Sequence, residues 1–174
     1  MSTLIVIRDE TERDALAIET VTVEAFRSLD ISSHTEPFII EALRAAGALA
    51  VSLVAERDGR VAGHIAFSPV TISDDTPGWY GLGPVSVLPD CQGQGIGSAL
   101  IREGLARLKA RKARGCCLVG HPGYYGRFGF ENPAGLGYDD VPPEFFFALA
   151  FDGPMPKGKV HFHEAFGATS PQEP

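Results

Sequence analysis

The chain has 174 residues, 44% hydrophobic and 21% charged, with a formal net charge of −7 and a mean hydropathy of +0.04. That length suits one domain with a full core, and the composition is that of a soluble globular protein; no apolar run approaches the ~20 residues a membrane helix needs. The acidic balance argues against nucleic acid as the main partner and fits a cationic substrate.

The N-terminal "MSTLIVIRDETERDA" lacks a basic leader, a long apolar core and a small-residue cleavage site, so no export signal is expected. Cys91, Cys116 and Cys117 show no metal-type spacing. They read as reduced thiols in a cytoplasm, and no metal is expected. "TLIVIR" reads as a short buried strand. Residues 10–26 carry apolar side chains at loose helical spacing, and Thr35 or Glu36 opens a second helix through "PFIIEALRAA" with Pro37 in its first turn and Gly47 at its end. "LAVSLVAERDGRVAGHIAFSPVTI" is a hairpin around Asp58-Gly59. "WYGLGPVSVLP" is a further strand, and Pro84 in its middle cannot donate a ladder hydrogen bond, which predicts a bulge or a parting from its neighbour. A strong helix follows over residues 98–114, basic toward its C-terminal end, and Gly115 stops it. "CCLVG" returns as a strand, "HPGYYGRFGFEN" is a short aromatic segment punctuated by glycine, and "PEFFFALAF" and "GKVHFHEAF" close the domain as strands. The order β-α-α-β-β-β-α-β-α-β-β describes a mixed α/β domain over residues 1–167, with a flexible polar tail over 168–174.

The glycine-rich turn at Gln92-Gly93-Gln94-Gly95-Ile96-Gly97 joins a strand to a helix and makes an anion site. The first helical turn leaves its N–H groups unpaired at the positive end of the macrodipole, and glycine lets a phosphate approach without a Cβ in the way. The Walker pattern fails because Gly97 is followed by Ser98-Ala99 rather than Lys-Ser/Thr. The dinucleotide fingerprint fails because Ser98 stands where its third glycine belongs and no acidic residue follows ~20 positions on.

The pattern Gln-x-x-Gly-x-Gly, preceded by a Val-x-Val-x-Pro strand, resembles the acetyl-CoA-binding signature of the GNAT (general-control-related) N-acetyltransferases. Asp58-Gly59-Arg60-Val61-Ala62-Gly63 looks like the hairpin between the family's second and third strands, and Tyr125-Gly126-Arg127-Phe128-Gly129-Phe130 matches its Tyr-x-x-φ-Gly-Phe element. "GHIAFSPV", "YYGRFGF" and "GKVHFHEAF" are similar to a bacterial branch of predicted N-acetyltransferases. The resemblance implies the GNAT fold: about seven mostly antiparallel strands, about four flanking helices, and the family's fourth and fifth strands splayed to take the pantetheine arm as a pseudo-strand, an augmentation of the sheet by a cofactor.

Carried over position by position, the Val85 N–H would act as oxyanion donor and the Val87 backbone would bond the pantetheine amides. The amides of Gln92, Gly93, Gln94, Gly95, Ile96, Gly97 and Ser98 form the stretch that would hold the pyrophosphate. Tyr125 is placed by the motif as proton donor to the departing thiolate, its neighbour Tyr124 as core or cofactor packing. The implied activity is acetyl transfer from acetyl-CoA to a primary amine, small-molecule or peptidyl, by direct attack in a ternary complex. An alkyl ammonium has a pKa near ~10.4 and must lose a proton first, and His64, His121, Glu24 or a water chain are the candidates to take it. Rival readings are an O-acyl or longer-acyl transferase and a non-catalytic acetyl-CoA sensor. The C-terminal aromatic strands allow a homodimer.

Overall fold

The computed structural model describes residues 4–29 and 32–171. Residues 1–3, 30–31 and 172–174, the last in the expected tail, lie outside the described residues. In chain order the elements are β1 (Ile5–Asp9), α1 (Ala15–Phe26), α2 (Glu36–Ala45), β2 (Val51–Arg57), β3 (Arg60–Pro69), β4 (Thr71–Ile72), β5 (Trp79–Val87), α3 (Ile96–Ala110), β6 (Gly115–Val119), β7 (Leu136–Gly137), β8 (Phe146–Ala150) and β9 (Gly158–His161). Six strands form one sheet in the order β1-β2-β3-β5-β6-β8, and β4-β9-β7 form a second, smaller one. Every pairing in the larger sheet is antiparallel except β5 with β6, which α3 connects.

The expected hairpin is present: Asp58 (φ 55°) and Gly59 (φ 77°) both take the left-handed conformation that a two-residue turn between twisted strands requires. Side-chain alternation on β3 then assigns the two faces of the sheet. A Cβ on Gly63 would lie 3.0 Å from Leu100 and 3.1 Å from Ile96, so Gly63, Ile65 and Phe67 face α3. On the opposite face Val54 lies in register with His64 and packs with Ile18 of α1 and Ile40 of α2.

Two expectations need correction. The segment after β6 is no α-helix but one 3-10 turn, Tyr125–Phe128. Gly123 (φ 92°) and Gly129 (φ 97°) bracket it in left-handed backbone, which leaves three α-helices among the described residues instead of about four. The strands number nine among the described residues rather than about seven: β8 closes the main sheet, while the last strand, β9, pairs with two short strands, β4 and β7, in a separate unit.

A charge cluster ties β1 to the start of α1. Arg8 donates from Nη1 to Asp14 Oδ2 (2.7 Å) and from Nη2 to Asp14 Oδ1 (3.0 Å), and it also bonds Glu56 of β2. The buried Asp14 carboxylate accepts the Thr11 N–H as well (2.7 Å), and the Arg8 guanidinium holds its carboxyl well below the usual carboxylate range. A carboxyl with a depressed folded-state pKa stabilises the fold above its unfolded value of about 3.9, and that contribution is lost as pH falls through the folded value. Asp14→Asn should therefore cost about 1–3 kcal/mol in urea denaturation near pH 7, with the gap to the wild type closing as the pH is lowered through about 3 and below.

The outer edge of β8 is occupied. Ala148 exchanges both backbone hydrogen bonds with Glu131 (3.0 and 2.9 Å), and Asn132 Nδ2 donates to the Phe146 carbonyl (2.7 Å).

Candidate active site

The site begins where two strands part. The parallel ladder between β5 and β6 runs from Trp79 opposite Gly115 to Gly81 opposite Cys117 and then stops. Among the described residues, 82–87 pair only with β3. The register against β3 slips by one residue at this point, Ile65 facing Val85 while Phe67 faces Leu82, and the Gly83–Pro84 segment absorbs the extra residue as a bulge. Proline has no N–H to give a neighbour, so the bulge and the parting meet the sequence expectation. The Leu88 N–H bonds the Ala62 carbonyl (2.9 Å), which sets the alternation: Ser86 turns its backbone groups to β3, and Val85 and Val87 turn theirs into the gap beside β6. The Val87 carbonyl receives the Gln92 side-chain amide (3.1 Å), so its N–H is the group left for an incoming strand-like ligand.

The gap runs down to the start of α3. Gly95 (φ 86°) is the N-cap and Gly93 (φ 76°) precedes it, both in left-handed backbone. No side chain caps the helix, and a Cβ at either glycine would meet nothing within 4 Å. The first-turn amides therefore face open space at the positive end of the helix, the arrangement an anion requires. Helix α3 starts at Ile96, two residues before the sequence pattern suggested, because the glycines at 95 and 97 hide the first turn from an apolar-spacing count. Arg57 donates to the Gln94 side chain and brings a cation to this turn.

The two adjacent tyrosines after β6 have different partners. The Tyr124 hydroxyl lies 3.3 Å from Ser98 Oγ, with the Arg127 guanidinium 4.5 Å from the centre of its ring. The Tyr125 ring packs edge-on to Tyr124 (5.0 Å between centroids), against Phe147 (5.6 Å) and Phe130 (6.2 Å), and over Gly120, where a Cβ would collide with it. Burial first, then Tyr124, push the Tyr125 phenol up, so it stays protonated.

The proton-acceptor candidates are scattered. His121 is exposed, edge-on to Phe145 at 6.1 Å. Glu24 is paired with Arg27 one turn on (2.7 Å). His64 is fully buried on the α1 face of β3, with Nε2 2.8 Å from Ser52 Oγ. The cysteines are all buried, and burial pushes the thiols of Cys116 and Cys117 up, away from nucleophilic thiolate.

The sequence profile of the acetyltransferase (GNAT) domain matches residues 49–132, the stretch from β2 through the Tyr-x-x-Phe-Gly-Phe turn. N-acetyltransferase YhbS of Escherichia coli K12 is 35% identical over 123 residues, 70% of this chain and 74% of that protein. A GNAT family acetyltransferase from Brucella melitensis, solved in complex with acetyl-CoA, superposes with a TM-score of 0.84 at 53% identity, covering 94% of this chain and 98% of that one. The E. coli YhbS structure in complex with CoA superposes with a TM-score of 0.87 at 30% identity, covering 98% and 96%. The chain belongs to the GNAT N-acetyltransferases.

Within this GNAT domain the profile match ends before β8, while the solved relatives extend over nearly the whole chain, so α1, α2 and the C-terminal strands are part of the same fold. Sequence reading did not find the Tyr124–Ser98 contact or the Arg57–Gln94 contact at the glycine turn. The Tyr-Tyr doublet was the available signal for the first, since two adjacent rings at one turn must point to different places. Among the described residues no helix is long and apolar enough to cross a membrane, and no cluster of His, Cys, Asp and Glu side chains is arranged to hold a metal ion.

Proposed function

We propose that this GNAT enzyme transfers an acetyl group from acetyl-CoA to a primary amine, on a small molecule or a peptide, by direct attack in a ternary complex in the cytoplasm. The observation that carries the reading is the unpaired inner edge of β5, with the Val85 and Val87 N–H groups turned into a gap that leads to an uncapped helix start. The relatives solved with acetyl-CoA and CoA support the choice of ligand. Acetyl-CoA supplies the activated acyl thioester; the rest of the chemistry falls to the chain. The Val87 N–H bonds the pantetheine arm, the amides from Gly93 to Ser98 hold the pyrophosphate, and the Val85 N–H stabilises developing negative charge on the carbonyl oxygen. Tyr125, kept neutral by burial, holds a proton for the departing sulfur. Direct attack suits a site whose three cysteines are all buried. The acidic surface suits a cationic acceptor, with polyamines, aminoglycosides and lysine side chains as the amines to try.

Isothermal titration with acetyl-CoA and desulfo-CoA, run beside a thiol-release assay over those amines, tests the reading. Micromolar binding of both ligands with thiol release for one amine class is the expected result. Binding without release would favour an acetyl-CoA sensor, and no binding would overturn the assignment of the gap and the glycine turn.

A further inference from the structure

The two edges of the main sheet are treated differently. At β8, Glu131 and Asn132 occupy the outward groups. At the other edge stands β1, and among the described residues nothing pairs with its outer side. The Glu10 N–H bonds the Ser52 carbonyl (3.0 Å), which sets the alternation along this strand. Val6 and Arg8 turn their backbone groups to β2, and Ile5 and Ile7 turn theirs outward. Each outward residue offers one N–H and one C=O, the groups that a further strand takes up.

Edge strands are commonly guarded by lysine, proline or a bulge. β1 has none of these: it reads Ile-Val-Ile-Arg-Asp, and its register with β2 is unbroken. Its charges are paired within the chain, Arg8 with Asp14 (2.7 Å) and Glu56 (2.6 Å), Asp9 with Arg107 (2.8 Å). Arg8 stands opposite Val54, which packs with Ile18 of α1 and Ile40 of α2, so Arg8 and Val6 share that face of the sheet. The face is open to solvent at the start of the strand, where Leu4 is 76% and Val6 43% exposed. Ile5 and Ile7 pack on the other side, against the core under α3.

The register decides the occupant. A second copy that pairs antiparallel about a two-fold axis must set outward residues opposite outward residues, so the axis passes through one residue of β1. With the axis at Val6, Ile5 faces Ile7 of the second copy and Val6 faces Val6. Leu4 then lies beside the aliphatic stem of Arg8. Apolar groups meet apolar groups throughout, and like charges meet nowhere. With the axis at Ile7, Asp9 faces Ile5. With it at Arg8, two guanidinium groups face each other, which repulsion disfavours. With it at Ile5, only residues 4–6 of the described strand oppose one another.

We propose that β1 is the interface of a homodimer, two copies pairing antiparallel about an axis at Val6 and joining their six-stranded sheets edge to edge. On each side of the axis, Ile5 and Ile7 exchange both backbone hydrogen bonds, and the Val6 side chains meet as the closer-spaced, non-hydrogen-bonded pair. The pairing occupies both bare edges, so the assembly closes at two copies. The dimer thus forms at the far side of the sheet from the C-terminal strands. The gap between β5 and β6 lies beyond β2 and β3, so the interface leaves it open and stands apart from the acetyl-transfer reading.

Sedimentation velocity over a series from micromolar to hundreds of micromolar reads the assembly. The wild type should sediment as a dimer, and a monomer throughout the series overturns the proposal. Val6→Asp sets two carboxylates against each other at the axis, and its dimer dissociation constant should rise at least roughly 100-fold. Val6→Lys should do the same with two ammonium groups. Val6 is half-exposed in the single chain, so both variants should keep the fold, which far-UV circular dichroism checks. An equimolar mixture of the two should restore the dimer, because a carboxylate then meets an ammonium across the axis. A variant that dimerises like the wild type, or a mixture that stays monomeric, overturns the interface. Amide hydrogen exchange on the wild type needs no variant: the Ile5 and Ile7 N–H groups should be protected in the dimer and lose that protection on dilution. Fast exchange of both at the highest concentration would equally overturn it.

Discussion

Tyr125→Phe should lower kcat by roughly 10²–10⁴-fold, the usual cost of losing a positioned proton donor, while acetyl-CoA binds within about twofold of the wild type. The ring makes its contacts through carbon, against Phe147 at 5.6 Å, Phe130 at 6.2 Å and the face of Gly120, and Phe preserves all of them. What is lost is one hydroxyl that burial holds in its protonated form. A phenol is a weak acid beside a thiol, so donation has to accompany departure of the sulfur; the defect therefore belongs to kcat and not to binding. Steady-state kinetics with a calorimetric titration on the same preparation read the two quantities separately. A Tyr125→Phe enzyme with full turnover would move the role to Tyr124, whose hydroxyl already sits 3.3 Å from Ser98 at the mouth of α3.

Gly95→Val should produce the opposite split. At φ 86° a residue with a Cβ costs about 1–2 kcal/mol in backbone strain, and the branched side chain would project into the open space in front of the first-turn amides. Acetyl-CoA affinity should fall roughly 10–100-fold, and kcat at saturation should stay within about threefold, because Val85 and Tyr125 lie on other elements. Titration with acetyl-CoA checks the first half. An unchanged affinity would mean that the phosphate end of the ligand is held somewhere other than this turn.

These two substitutions mark the part of the site that could be read from the chain. The glycine turn, the preceding valines and Pro84 are local: each residue's effect on its own backbone is what opens the gap, so spacing alone carries the information. The hairpin is local in the same sense, since Asp58 and Gly59 are residues that tolerate positive φ. Tyr124 at Ser98 joins residues 26 apart across a turn whose course no pattern announces. The buried polar cluster is less legible still. Glu10, Ser52 and His64 meet only because the β2–β3 register sets Ser52 beside Ala66 and Val54 beside His64, and that register shifts by one residue between Ala55 and Glu56, so it cannot be counted from the turn. The short sheet β4-β9-β7 pairs Thr71 with His161, which no local signal could have suggested. The missing fourth helix is a different kind of error: "HPGYYGRFGF" has its aromatics at helical spacing, but Gly123, Gly126 and Gly129 leave the backbone too free to hold more than one turn.

The small hydrogen-bonded cap on β8 has a consequence for how copies of this chain can meet. A bare edge strand invites a second chain to lengthen the sheet, and cross-strand growth of that kind ends in fibres as easily as in dimers. Here Glu131 and Asn132 already occupy the outward groups of Ala148 and Phe146. An incoming strand would have to strip those bonds away before forming its own, and it would gain no net hydrogen bonds by doing so. Strand addition at this edge of the sheet is thereby disfavoured, and contacts between copies along β8 fall to side-chain faces.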